Sequence, residues 1–191
     1  MNKIQREKPL RTCTKTYANY KSFKPYLRED FNRKCGYCDD SDVACGGRRG
    51  FHIDHFKPHS IDCFASLKQN YSNLVYSCPY CNGKKSDTWR DLEGFIDPCD
   101  SEYDNHIGRK ENGKIKFKTE QGKYIYYNLN LGLKRHELLW CIDRLNTQSE
   151  LINSKINEIG EGNEQELIFL RRFNDIQNKI KAYINIFQET I

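Results

Sequence analysis

The sequence predicts an α+β fold: a strand–loop–strand–helix unit stapled by four cysteines, with a basic helical segment before it and a β-hairpin and a helical hairpin after it. Three observations lead there. Two Cys-x-x-Cys pairs, Cys35-Gly-Tyr-Cys38 and Cys78-Pro-Tyr-Cys81, flank a short alternating segment that ends in Asp54-His55. Apolar residues recur at helical spacing from about residue 133. A hydrophobic content of 37% with a mean hydropathy of −0.86 is low for a domain held by burial alone, so a metal staple is expected to share that task.

The 191 residues suit one well-buried core or a small stapled module with a helical appendage. Net charge is +5, and its distribution is uneven: residues 1–50 hold 12 Lys or Arg against 6 Asp or Glu, leaving −1 for the rest. A basic leading segment suits an anionic polymer, and a solvated lysine-rich surface is the plainer reading of the same charges. Nine cysteines would fit a secreted disulfide scaffold, but Met1-Asn-Lys-Ile-Gln-Arg-Glu-Lys8 has no apolar signal region and no later stretch is apolar enough for a bilayer. A cytoplasmic, reducing location is expected, where such pairs bind zinc instead of forming disulfides. Cys13, Cys45, Cys63, Cys99 and Cys141 are then free thiols, mostly packed as small apolar groups.

Four segments are expected: 1–34, basic and helical; 35–98, the stapled core; 99–132, a loop and hairpin; 133–191, a helical hairpin. In the first, Tyr17, Tyr20, Phe23, Leu27 and Phe31 keep helical intervals broken at Pro25, with Lys21, Lys24, Arg28 and Arg33 on the charged face. Residues 39–50 read as a loop, Phe51–His55 and Leu74–Ser77 as strands, and Asn82–Trp89 as the opening of a helix. Gly113–Lys118 and Gly122–Tyr127 alternate as two hairpin strands. Beyond them, Leu138, Ile142, Leu145, Ile152, Ile156 and Ile159 form one stripe with Ser149 in register. Gly160-Glu-Gly162 breaks it, and Asn163 with Glu166 makes a capping box for a second helix lined by Leu167, Leu170, Phe173, Ile176, Ile180, Ile184 and Phe187.

Four thiolates, Cys35, Cys38, Cys78 and Cys81, fill a tetrahedral zinc shell and leave no open position, so this zinc holds the fold and any catalysis needs a second metal. A different thiol such as Cys45 completing the shell is the alternative. Phosphodiester hydrolysis needs an activated water and a cation beside the scissile phosphate. Asp54 offers a hard oxygen to Mg2+ or Mn2+, His55 titrates near neutrality, and Asn82, next to Cys81, adds an amide oxygen. His52, two residues from Asp54, rivals His55 as the base. Lys57, Lys84 and Lys85 are candidate phosphate contacts. Asp97, Asp100 and Asp104 read as an ordinary loop, with no glycine where a calcium loop needs one.

Asp54-His55-Phe-Lys-Pro58, Asn73-Leu74 and Cys78-x-x-Cys81-Asn82-x-x-Lys85 resemble, in order, the ββα-metal motif of the HNH nuclease superfamily. The resemblance implies that His55 is the general base, that Asp54 and Asn82 bind one divalent metal, that Asn73 stabilises the loop, and that the substrate is DNA. Ile4-Gln-Arg6-Glu-Lys-Pro9, Phe95-Ile-Asp97-Pro98 and Leu129-Asn-Leu-Gly-Leu133 before a helix with Arg144 further resemble HNH proteins of Septu-type anti-phage systems, which implies an ABC-type ATPase partner. Asp-His stands where that family has Glu-His, and His59 where it commonly has Lys. A zinc-knuckle nucleic-acid-binding or adaptor module without catalysis is the other reading of the same framework.

Overall fold

The computed structural model describes residues 1–159 and 164–190. Its described residues fall into two compact units, Met1–His136 and Glu137–Ile191. The expected turn at Gly160–Gly162 and its cap at Asn163 lie outside the described residues.

The first unit begins as an extended strap, not a helix. Asn2 bridges to Arg109, the Ile4 side chain is buried, Gln5 donates to the Gly36 carbonyl, and the Arg11 Nε donates to the Leu74 carbonyl at 2.9 Å. A 3-10 turn at Tyr20–Phe23 leads into α1, Lys24–Asp30. Pro25 starts this helix, where the sequence predicts a helix on either side of it, because its missing N–H costs nothing in a first turn. Phe23, Leu27 and Phe31 are buried from it, with Tyr17 outside the helix.

The loop after Cys38 contains a 3-10 turn, Asp42–Cys45, and one turn of helix, α2, Gly47–Gly50. Strand β1, His52–His55, pairs antiparallel with β2, Leu74–Ser77, in the register His52 to Ser77 and His55 to Leu74. Helix α3, Pro79–Lys85, follows at once. It starts three residues before the expected Asn82 and stops before Trp89: Cys78 is its N-cap, with Sγ accepting from Cys81 N, and Pro79 is pre-set for a first turn.

After a short helix, α4, Tyr103–His106, strands β3, Ile107–Arg109, and β4, Ile115–Phe117, form the second antiparallel pair. The expected second hairpin strand at Gly122–Tyr127 is instead helix α5, Glu120–Asn128. Thr119 caps it, its Oγ1 accepting from Gly122 N at 3.0 Å, and Ile125 and Leu129 are buried at helical spacing. Gly122 sits so close to His106 that a Cβ would lie 1.9 Å from its carbonyl oxygen.

Helix α6, Lys134–Ile159, carries on past His136 into the second unit, which also holds α7, Glu164–Thr190. Gln177 Nε2 donates to Ser149 Oγ at 2.6 Å, tying the two helices at the polar gap in the first stripe. The α7 stripe differs from expectation: Phe173, Ile176, Ile180 and Phe187 are covered, but Leu167, Leu170 and Ile184 are exposed, and Phe169 and Tyr183 take the covered positions. No helix among the described residues is long and apolar enough to cross a membrane.

A four-cysteine knuckle beside an Asp–His–Asn cavity

Both knuckles are fixed by backbone. Gly36 N donates to the Tyr76 carbonyl at 2.9 Å, and a Cβ at Gly36 would lie 2.7 Å from Phe31 and 2.9 Å from Val75, so only glycine lets the first knuckle close on β2. The sulfurs of Cys35, Cys38, Cys78 and Cys81 all lie within 4.8 Å of one another, and all four residues are buried. Cys38 and Cys78 Sγ are 3.8 Å apart. A tetrahedron with Zn–S of about 2.3 Å has edges of about 3.8 Å, so the thiolates fit a structural zinc ion. Cys45 does not substitute in this group; its sulfur accepts from Arg135 at 3.4 Å.

A second polar group backs Cys38. Asp40 and His136 have ligand atoms within 4.8 Å of its sulfur; His136 Nδ1 lies 2.7 Å from Asp40 Oδ2, and Arg135 donates to the same oxygen at 3.3 Å. Arg109, fully buried, donates to the Cys38 carbonyl at 2.6 Å. With zinc bound, the guanidiniums of Arg109 and Arg135 and these hydrogen bonds would offset the charge of four thiolates, the usual task of groups around a closed zinc shell. Sequence reasoning missed Arg109, Arg135 and His136, which lie far along the chain from the knuckles.

Beside the knuckle lies a cavity of about 270 Å3 lined by Asp54, His55, His59 and Asn82 among others. Asp54 and His55 end β1, and Asn82 projects from α3, whose start Cys78 and Cys81 pin to the thiolate cluster. Asp54 accepts from Tyr37 Oη and from Lys85 Nζ, 3.3 Å from Oδ1 and 3.1 Å from Oδ2. Burial pushes the Asp54 carboxyl up from its usual range, with Lys85 and Tyr37 pulling it back, and burial keeps Tyr37 protonated as a donor. Lys85 is therefore no surface phosphate contact: it is fully buried and also donates to the His55 carbonyl at 2.8 Å. Lys57 is drawn over Phe64 and Trp89, 5.4 and 5.9 Å from their centroids, while Lys84 is exposed.

His55 Nε2 lies 2.9 Å from the Lys68 carbonyl, so that nitrogen carries the proton and Nδ1 keeps its lone pair. Its ring stacks on His59 at 4.3 Å and meets Tyr20 edge-on at 4.7 Å. Burial lowers its pKa, which favours the neutral, proton-accepting form. Asn73 does not line the cavity. Its Oδ1 accepts from Lys57 N at 2.9 Å and its Nδ2 donates to the Lys57 carbonyl at 3.0 Å, clamping the chain just after His55. His52 is outside the cavity lining and exposed, with Nδ1 3.2 Å from Nδ2 of Asn82, which lines it. Asp97 holds Arg11 at 3.0 Å and Asp104 accepts from Ile4 N at 3.1 Å, so the acidic run anchors the strap.

Two antiparallel strands, a clamped loop and a helix rooted in a thiolate cluster make a ββα-metal unit. Residues 35–88 match the family model described as HNH endonuclease, and an HNH endonuclease domain is thus present in the chain. The chain is 28% identical over 156 residues to Septu protein PtuB of Bacillus thuringiensis, covering 72% of this chain and 57% of that protein. It is 24% identical over 130 residues to Septu protein PtuB of Bacillus mycoides (strain KBAB4), covering 53% and 43%. The chain thus spans about half the length of the curated relatives it matches. No solved structure matches it.

Proposed function

We infer that the chain is a metal-dependent endonuclease that hydrolyses phosphodiester bonds in DNA. The reading rests on one observation: Asp54, His55 and Asn82 line a single cavity inside an HNH domain. In this reading His55 takes a proton from water through Nδ1 while the Lys68 carbonyl holds its other nitrogen. The water oxygen bonds to phosphorus, the opposite ester bond breaks, and the leaving oxygen takes a proton from solvent. Asp54 and Asn82 are the residues to hold Mg2+ or Mn2+. Once bound, such an ion offsets charge on the scissile phosphate and the leaving oxygen. Asn73 is a positioning residue that sets the loop after His55.

Incubation of supercoiled plasmid with Mg2+ or Mn2+ tests the assignment. Wild type is expected to nick or linearise it, and His55→Ala to lose about 10²–10⁴ in rate, the usual worth of a general base. Cutting by His55→Ala at the wild-type rate, with clean controls lacking metal, removes His55 from that role.

One observation favours a second reading, a nucleic-acid-binding or adaptor module without catalysis: both Asp54 oxygens already receive hydrogen bonds from protein. It predicts DNA binding with no metal-dependent cleavage in the same assay. The similarity to the PtuB proteins also supports a role as the nuclease component of an anti-phage defence system beside an ABC-type ATPase. The exposed Leu167, Ile168, Leu170, Ile184 and Ile186 of α7 give such a partner apolar surface to cover. Co-expression with a candidate ATPase, followed by size-exclusion chromatography, should give one joint peak; separate peaks would count against the partnership.

A further inference from the structure

The cations of the N-terminal region divide sharply in the folded chain. Arg28 turns inward: its Nε pairs with buried Asp42 at 2.6 Å, and Asp42 also accepts from Tyr76 at 2.9 Å. Arg33 pairs with Glu29 at 3.5 Å. Lys21, Lys24, Arg48 and Arg49 make no salt bridge among the described residues. Lys21, Lys24 and Arg49 instead line a second cavity of about 370 Å3, walled by Tyr20, Phe51 and His52, with no carboxylate in its lining.

This groove adjoins the catalytic cavity in two ways. Ile53 lines both. Tyr20, in the groove wall, packs its ring edge-on to His55, and His52, also in the wall, reaches Asn82. Burial and the neighbouring Arg48 both disfavour the charged form of Lys24, the signature of a cation crowded by like charge and short of an anion. The cations come from two segments, the 20–24 turn and the 47–50 turn, on a groove that also has aromatic walls. Successive phosphates of one strand suit this arrangement, because each cation can meet a different phosphate while the strand continues past His55.

We propose that the Lys21–Lys24–Arg49 groove is a subsite for the backbone phosphates of the DNA strand next to the scissile bond, entering the catalytic cavity past His52 and Ile53. The proposal rests on the endonuclease reading above for its substrate, and its test is built to fail separately. Binding of a short fluorescein-labelled DNA duplex is measured by anisotropy over a salt series in full-length His55→Ala, so that no cleavage interferes. The groove variant adds Lys21→Gln, Lys24→Gln and Arg49→Gln; the control adds Lys110→Gln, Lys114→Gln and Lys116→Gln, an equal loss of charge from exposed positions in and beside the second hairpin.

The groove variant should bind at least about tenfold more weakly, and the slope of log K against log salt should become shallower by about 2–3, near 0.9 for each phosphate no longer neutralised. The control should stay within about threefold, since scattered surface charge adds only a general field. Lys24→Arg with Arg49→Lys should restore binding, and matching circular dichroism spectra establish that the groove variant is folded. Equal losses in the groove and control variants, or an unchanged slope, overturn the proposal. In the cutting-competent background the groove variants should lose kcat/KM through KM. A wild-type chain that never cuts, with groove variants that lose binding as described, would sink the endonuclease reading and leave the groove standing; a wild-type chain that cuts, with groove variants that bind like their His55→Ala parent, would do the reverse.

Discussion

The thiolate cluster and the Asp54–His55–Asn82 cavity share helix α3 and neighbour each other in space, yet they are built on opposite rules. The cluster is closed: four buried sulfurs satisfy one another's geometry, and Arg109, Arg135 and His136 surround it from outside. The cavity is open: one of its polar residues, Asn82, is only half-buried, and His55 keeps a ring nitrogen without a hydrogen-bond partner among the described residues. A closed shell can contribute folding energy and nothing else; an open one can meet substrate. The two are joined through α3, so that whatever pins Cys78 and Cys81 also fixes Asn82, and on the proposed function this separates stability from chemistry.

Removing the closed half is expected to have the largest effect. Structural zinc in small peptides contributes about 10–16 kcal/mol, as much as the roughly 5–15 kcal/mol total stability of an ordinary domain. Chelation, or Cys78→Ser, should therefore abolish cooperative unfolding of the first unit, seen as a loss of the sigmoidal urea transition by fluorescence. A full transition after verified metal removal would break the contrast. Next comes the ion pair between the halves. Lys85→Met leaves the buried Asp54 charge without its cation, with only the Tyr37 hydroxyl to donate to it, which costs about 3–5 kcal/mol, whereas Lys85→Met with Asp54→Asn removes both charges and should recover a large part of that loss. Urea midpoints of the two variants compare directly. If the single variant is as stable as wild type, Lys85 does not hold Asp54 in place.

The closed half was the more legible in sequence, for a physical reason. Metal ligands need fixed spacing, so Cys35, Cys38, Cys78 and Cys81 announce themselves, as does β1 between them through alternation. Pattern reading failed where one pattern serves two structures. Lys-Tyr-Ile-Tyr-Tyr127 alternates like a strand, but Thr119 as a cap and the tight fit of Gly122 against His106 make it a helix. Leu167, Leu170 and Ile184 share helical spacing with the covered residues, and spacing alone does not say which of two adjacent apolar stripes is covered. Lys85 reads as a surface cation because lysine usually is one; only the three-dimensional position of Asp54 shows why this one is buried. The arginine and histidine contacts around Cys38 are long-range and leave no local trace.

Smaller effects should come from the open half, and they sharpen the contrast. Asn73→Ala deprives the Lys57 N–H and carbonyl of their partners, for about 1–3 kcal/mol, and loosens the loop that follows His55. Its cleavage rate should fall although Asn73 does not line the cavity, and Asn73→Asp, which keeps an acceptor for Lys57 N, should recover part of the stability. The smallest stability change belongs to His55→Ala. It removes one hydrogen bond to the Lys68 carbonyl, which can turn to water, and ring contacts with Tyr20 and His59 at the edge of the cavity, for a total of about 1 kcal/mol. The same substitution is the one expected to cost the most activity. A residue whose removal leaves the urea midpoint nearly unchanged but stops cutting is doing chemistry; a loss of several kcal/mol would instead make His55 part of the framework, and the division between closed and open halves would not hold.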